Sequence, residues 1–202
     1  MKVLELFFGN GSFSRSCLDL GYEVTGVGID PCPKDLEGLI IYYQMDVLDF
    51  LEYVILTINE YHIIWISPPC ETYSIAAIRH GLRKECLAVT DKARLHDSYV
   101  IKSLEIIEVL KPEYWIIENP RACLRKQPFM EGIPRVTVTY CQYGKDRMKP
   151  TDLFGILPEG FIAKACKNGA PCHIASPRGS KHNTDATIPY DLCYELAELM
   201  KQ

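Results

Sequence analysis

A cysteine set behind two prolines at the end of an apolar strand is placed to react. The apolar run 62–66 delivers Ser67, Pro68, Pro69 and Cys70, followed by Glu71, Thr72, Tyr73 and Ser74. Two prolines fix the backbone and remove two amide donors, so the thiol is presented on a stiff turn. A buried structural cysteine rarely needs such a turn. The free thiol is mostly un-ionised near neutral pH but strongly nucleophilic as thiolate, and a nearby helix start or cation increases that fraction. A later run, 114–117, delivers Glu118, Asn119 and Pro120. A carboxyl group leaving so apolar a strand is expected to have its pKa raised by desolvation, which suits it to donate a proton or to pair with a ring nitrogen. A simple helix or turn cap is the competing reading.

A second set of polar groups lies nearer the start of the chain. Run 3–8 passes into Phe8, Gly9, Asn10, Gly11 and Ser12, after which Phe13, Cys17, Leu18 and Leu20 suggest a helix capped by Ser12. The two glycines permit a tight turn and let a ligand approach the backbone. Asp30, ending run 22–29, is placed to hold both hydroxyls of a ribose, and Asp46, just past run 39–43, to accept from an adenine amino group. Ligands of open α/β sheets sit at these carboxyl ends. The third glycine of a dinucleotide fingerprint is missing near Arg15, so a nucleoside cofactor without a pyrophosphate fits better than NAD. The alternative is that Asp30 and Asp46 only cap turns.

These groups need a scaffold, and the rest of the chain describes one. Runs 3–8, 22–29, 39–43, 62–66, 114–117, 135–140 and 152–156 alternate with helical stretches, the pattern of a parallel sheet covered on both faces. Within 91–110, Val100, Leu104, Ile107 and Leu110 repeat at helical spacing before Lys111 and Pro112 stop them, and 190–200 reads as a closing helix. Segment 158–183 is poor in apolar periodicity and reads as a long loop or small insertion, a kind of segment that is usually functional or disordered. With 202 residues, 48% of them apolar, the chain suits one compact domain.

No apolar run approaches the ~20 residues of a membrane span, and the first residues lack the sections of a signal peptide. A cytoplasmic protein is expected. Nine scattered cysteines fit a reducing compartment better than a disulfide framework, most of them as small buried apolar residues. A net charge of -4 argues against coating nucleic acid by bulk charge, so a polyanion would have to meet local patches. Four are present: Arg79, His80, Arg83 and Lys84; Arg121, Arg125 and Lys126; Lys145, Arg147 and Lys149; and Arg178 with Lys181. Each is either a nucleic-acid contact or a solvated face.

Taken in order, these residues resemble the DNA cytosine-5 methyltransferases. Leu4-Glu5-Leu6-Phe7-Phe8-Gly9-Asn10-Gly11 is similar to the first cofactor motif of that family, and Asp30 and Asp46 to the second and third. Pro68-Pro69-Cys70 with Ser74 is similar to the nucleophile motif, Glu118-Asn119 to the acid motif, and Tyr143-Gly144 with Lys145 and Arg147 to the segment that supplies an Arg-x-Arg pair. Residues 188–196 resemble the closing helix, so the likeness covers 1–155 and 186–200. It implies a Rossmann-like class I S-adenosylmethionine-dependent methyltransferase fold, with a mostly parallel seven-stranded sheet and helices on both faces. It also implies a single catalytic domain, 1–202, in which 158–185 stands in place of a full target-recognition domain, acting as a monomer in a bacterial or phage-infected cell.

The resemblance further implies that Phe7, Gly9, Asn10, Gly11, Ser12, Asp30, Asp46 and Pro69 hold S-adenosylmethionine. Cys70 would add to carbon 6 of cytosine, Glu118 would stabilise the ring at N3, and Arg147 would hold the base or a neighbouring phosphate. The target base must then be flipped out of DNA or single-stranded. The same chemistry on tRNA is the near alternative, and a degenerate member that binds DNA without catalysis a more distant one. Three departures stand out: Lys145 where arginine is usual, Pro120 where valine is common, and the short recognition region. In that region Cys166, Cys172, His173 and His182 could hold zinc, but their spacing matches no standard ribbon or finger. The expectation is a plain basic loop and no metal.

Overall fold

Alternation within the strands decides the architecture. In the computed structural model, which describes residues 1–57, 60–174 and 187–201, β1 (Lys2–Leu6) sends Val3 and Leu4 to opposite faces, and both are fully buried. A strand buried on both faces needs helices on both. The chain supplies them: α1 (Ser12–Asp19), β2 (Glu23–Gly28), β3 (Ile41–Gln44), α2 (Val47–Thr57), β4 (Ile63–Ile66) and α3 (Ile75–Arg79) follow in turn. Next come a two-rung hairpin, β5 (Arg83–Lys84) with β6 (Leu87–Ala88), then α4 (Asp91–Leu110), β7 (Tyr114–Pro120), β8 (Arg135–Thr139), β9 (Pro150–Ile156) and α5 (Tyr190–Leu199).

Seven strands form one sheet in the order β3-β2-β1-β4-β7-β9-β8, with only β9 antiparallel to its neighbours. All seven apolar runs of the sequence become these strands. On one face Val3, Val24, Ile63, Trp65 and Ile116 pack with Phe13 of α1 and Leu192 and Leu196 of α5. On the other, Leu4, Leu6, Ile64, Ile66 and Ile117 pack with Phe50 of α2 and Val100 and Ile106 of α4. The long helix spans its expected residues because Thr90 caps it, accepting from Ala93 N at 3.3 Å, and Lys111 ends it in a left-handed conformation. No helix among the described residues is long and apolar enough to cross a membrane.

Several expectations are corrected. Ser12 does not cap α1; it is the first helical residue, and the cap position falls on Gly11 with φ 66° and no side-chain hydrogen bond. Cys86 and Cys123 are disulfide-bonded rather than free, because two loops at the carboxyl edge bring their buried Cα atoms to 5.0 Å. Two of the supposed surface cations are struts instead. Arg83 is 1% exposed and paired with Asp97, and Arg125 pairs with the buried Asp152. β7 also runs three residues beyond its apolar core, because β9 pairs with it as far as Pro120 opposite Thr151. Arg178, Lys181 and His182, and most of the end of segment 158–185, lie outside the described residues.

Candidate active site

The register of β4 and β7 brings the two candidate reacting groups to one edge. Ile66 pairs with Ile117, so the Pro68-Pro69-Cys70 turn leaves β4 at the level where Glu118 follows on β7. Asn119 Nδ2 then donates to Pro68 O at 3.2 Å and ties the turn to the neighbouring strand. Cys70 is half-buried, and its carbonyl accepts from Tyr73 N and Ser74 N, closing the turn that leads into α3.

Behind the turn stands a buried polar network. Arg83 donates to Thr72 O at 2.9 Å, Thr72 Oγ1 at 3.2 Å, Ala93 O at 3.1 Å, Cys86 O at 3.2 Å and both oxygens of Asp97. Its guanidinium lies 4.2 Å from the centre of the Tyr73 ring, and the Tyr73 hydroxyl donates to Asp97 Oδ1 at 2.7 Å. His96 on α4 meets Thr72 Oγ1 at 3.1 Å, and its burial holds its pKa down, so the neutral ring is favoured. The guanidinium fork is thereby saturated, and the proline turn is held against α4 by groups that water does not reach.

Glu118 is 6% exposed, and burial raises its pKa, although the Lys149 charge and a hydrogen bond from Tyr140 pull the other way. That hydrogen bond runs from the Tyr140 hydroxyl to Glu118 Oε1 at 2.8 Å. The Cys70 thiol is also pushed up, first by desolvation and then by Glu118, with Lys149 opposing. One cation therefore acts on both groups. It stands over the Tyr140 ring, with Nζ 4.7 Å from the centre. Tyr140 and Lys149 are the residues that the sequence reading missed. Lys149 was visible only as one member of a basic run, and the sole signal for Tyr140 was a polar tip at a strand end. Arg147 sits half-buried in the bend just before β9, on the same loop as Lys149.

The candidate cofactor residues gather along the same edge, at the ends of β1, β2 and β3. Phe7 and Gly9 adopt φ of 58° and 52°, and a Cβ on Gly9 would meet nothing nearer than Phe7 O at 3.8 Å, so the backbone there is open to a ligand. Gly11 is glycine for another reason: a Cβ would come within 2.6 Å of the Phe8 ring and 2.9 Å of Leu36. Asn10 receives a bond from Ser12 Oγ at 2.6 Å and gives one to Thr187 Oγ1 at 3.1 Å, and Ile188 N donates to Ser12 Oγ at 3.3 Å. The glycine turn is thus laced to the chain entering α5.

Asp30 is exposed at the end of β2, where the Tyr42 hydroxyl donates to its carbonyl at 2.6 Å. Asp46 does cap α2, with Oδ1 accepting from Leu48 N at 2.9 Å, while the Tyr99 hydroxyl reaches Oδ2 at 3.1 Å. Each of its oxygens keeps further acceptor capacity. A cavity of about 350 Å³ bounded by Lys2, Glu23, Leu39, Ile41 and Tyr61 lies at the starts of the strands, the end of the sheet away from all these groups.

A probable DNA (cytosine-5)-methyltransferase of frog virus 3 (isolate Goorha) is 29% identical to this chain over 178 residues, covering 85% of the chain and 78% of that protein. The resemblance to the DNA cytosine-5 methyltransferases holds. No protein-family model matches the chain. Among solved structures, a mutant of Spodoptera frugiperda DNMT2 superposes with a TM-score of 0.51 at 15% identity, over 82% of this chain and 53% of the other. The S. pombe Dnmt2 methyltransferase gives 0.52 at 14% identity, over 81% and 53%. The chain therefore spans about half the length of the DNMT2 structures it matches. What it shares with them is the fold, that of the Rossmann-like S-adenosylmethionine-dependent methyltransferases.

Proposed function

We propose that the protein methylates carbon 5 of cytosine in DNA, with S-adenosylmethionine as methyl donor. The observation that carries this reading is a half-buried thiol and a buried carboxyl at adjacent strand ends, under the influence of one lysine. The strand-end groups fit the donor: an open glycine turn, an exposed carboxylate at Asp30 for hydroxyls and a half-buried one at Asp46 for an amino group, without the glycine pattern a pyrophosphate demands. When bound, S-adenosylmethionine supplies an electrophilic methyl group.

The protein's own residues supply the rest. Cys70 sulfur, as thiolate, adds to carbon 6 of the pyrimidine. Tyr140 holds Glu118 Oε1, so the carboxyl proton belongs on Oε2, from which it is given to N3 as the ring takes up the electrons. Carbon 5 then becomes nucleophilic. After that carbon is substituted it loses its proton to solvent water, the electron pair restores the 5,6 double bond, sulfur leaves as thiolate, and N3 returns its proton to the Glu118 carboxylate. The raised pKa of Glu118 suits this exchange, because a protonated Glu118 can donate and no longer repels a thiolate at Cys70, while Lys149 opposes the rise at the thiol that would otherwise cost thiolate. Arg147 is assigned to the base or an adjacent phosphate. The base must leave the stack, at a cost of roughly a few kcal/mol, and one copy of the chain is taken as the working unit.

DNA is preferred to RNA because the frog virus protein bears a DNA methyltransferase name. Incubation with tritiated S-adenosylmethionine and either duplex DNA or tRNA tests the choice. Label in DNA with the wild type and none with Cys70→Ser supports the proposal, label in tRNA alone reassigns the substrate, and label with both variants removes Cys70 as nucleophile. DNA containing 5-fluorocytosine should trap a covalent complex, since fluorine blocks the final loss of the proton.

A further inference from the structure

The geometry points to a structural zinc site built from Cys141, Cys166, Cys172 and His173, which fastens the short insertion to the turn beside the candidate active site. Their ligand atoms all lie within 4.8 Å of one another. Zinc bound tetrahedrally at about 2.3 Å to sulfur and about 2.0 Å to nitrogen sets ligand edges of about 3.8 Å between sulfurs and about 3.5 Å from sulfur to nitrogen. Three of the six edges match, at 3.8 Å for Cys141 Sγ to Cys172 Sγ, 3.5 Å for Cys172 Sγ to His173 Nδ1 and 3.6 Å for Cys166 Sγ to His173 Nδ1, and Cys166 to Cys172 and Cys141 to His173 lie within 4.8 Å. Cys141 Sγ to Cys166 Sγ is tighter, at 3.1 Å, yet well beyond a disulfide bond of about 2.05 Å.

Three separate pieces of chain are folded to make this cluster. Cys141 is carried by the 3-10 turn Tyr140–Tyr143 that ends β8. Cys166 is drawn to that turn because the segment before it lies against β8: Thr139 N donates to Lys164 O at 3.0 Å, Lys164 N to the Tyr143 hydroxyl at 3.1 Å, and Cys166 N to Thr139 Oγ1 at 2.9 Å. Cys172 and His173 return after a turn closed by Ala170 N and Lys167 O, and Ile174 N fixes the return on Asp146 O at 2.8 Å. His182 is not needed as a fourth ligand, because Cys141, 25 residues before Cys166, fills the set.

The chemistry of the donors selects the metal and the role. Three thiolates and one imidazole suit zinc, and four protein ligands leave no open position, so the site is structural rather than catalytic. Up to Lys164 the insertion is held by Leu157, Phe161 and Ala163 packed on the core and by the Lys164–Glu195 ion pair, but beyond that point it buries little. Residues 157–174 contain neither helix nor strand, and Ile162 and Ile174 are 75% and 58% exposed. A segment that buries so little cannot offset the entropy of ordering it, and metal coordination supplies folding free energy directly. The clamp closes on the turn whose Tyr140 holds Glu118, and on the loop that leads to Arg147 and Lys149.

The full chain, purified under reducing conditions without added metal, should carry stoichiometric zinc by plasma mass spectrometry. Cys172→Ser and His173→Asn should lose most of it, while Cys32→Ser, far from the cluster, should keep it. Cobalt(II) added to chelator-stripped protein should give a tetrahedral ligand-field spectrum with thiolate charge-transfer absorption. The proposal is overturned by zinc-free protein that gives no thiolate-cobalt spectrum, or by peptide mapping that finds Cys141 disulfide-bonded to Cys166 in the active protein. Neither result bears on Cys70, whose adduct is tested separately.

Discussion

Two strand-to-helix turns stand on the same edge of one sheet and are made rigid by opposite means. The turn after β1 is a glycine turn, in which positive φ and close packing do the work: Gly11 lets the Phe8 ring and Leu36 close over it, and the buried Glu5 receives Ser14 N at 2.8 Å and the Ser14 hydroxyl. The turn after β4 is a proline turn, with fixed φ in front and the Arg83, Asp97, Tyr73 and His96 network behind. A glycine turn leaves its backbone accessible, which suits a place where a ligand lies on the main chain. A proline turn holds a side chain out, as a nucleophile requires. The lesson is that stiffness at a reactive edge comes from local covalent geometry plus an adjacent buried contact, and either contact type can supply it.

The contrast can be broken most severely at Arg83. Arg83→Met takes its donor from Asp97, the Thr72 hydroxyl and three backbone carbonyls, and removal of one partner from a buried pair costs about 3–5 kcal/mol. Urea unfolding should show that loss, together with loss of methyl transfer. A variant as stable as the wild type would mean the network is dispensable.

On the glycine side the largest effect should have the opposite sign and depend on pH. Burial raises the Glu5 pKa from 4.5 to about 7, so the folded protein binds this proton more tightly than the unfolded chain. Its contribution to stability is complete below about pH 4.5 and is lost as pH rises through about 7. Glu5→Gln stays neutral and can still accept from Ser14. It should therefore exceed wild-type stability by up to about 3 kcal/mol at pH 8, with the gap closing at pH 4.5. A gap of the same size at both pH values would remove burial of charge as its cause. Next in size, Gly11→Ala should destabilise by about 1–3 kcal/mol through overpacking and a left-handed backbone, whereas Gly9→Ala, with the same left-handed strain but open space around its Cβ, should cost only about 1 kcal/mol of stability while weakening donor affinity.

How far the sequence exposed this arrangement depended on whether a signal was local. The strands were legible because Val3-Leu4 and Ile63-Ile64-Trp65-Ile66 are apolar on both faces, and α4 because Val100, Leu104, Ile107 and Leu110 keep one helical period until Lys111 and Pro112 stop it. The order of the glycine turn, Asp30, Asp46, the proline turn and Glu118 was equally open to reading, since each follows its strand directly. What stayed hidden was long-range. Arg83 finds Asp97 only after the hairpin folds onto α4, Cys86 meets Cys123 across 37 residues, and Cys141 joins Cys166 only when the insertion folds back on β8. A basic residue in sequence has no sign of whether it faces solvent or a buried carboxylate, and so Arg83 and Lys84 looked alike.

Lys149 offers the finest test, because it acts on the thiol and the carboxyl together. Its charge lowers the pKa of both Cys70 and Glu118, and both remain raised because desolvation outweighs it. In Lys149→Met both should rise further. For Glu118 this extends the range in which the carboxyl carries a proton; for Cys70 it reduces the thiolate at neutral pH. If thiolate supply limits the rate, methyl transfer should fall on the order of tenfold near pH 7 and recover as pH is increased, with little change in thermal stability. If proton donation by Glu118 limits it instead, the variant should gain activity on the alkaline side. A pH-rate profile that merely scales down at every pH would mean that Lys149 positions substrate and does not tune the pair.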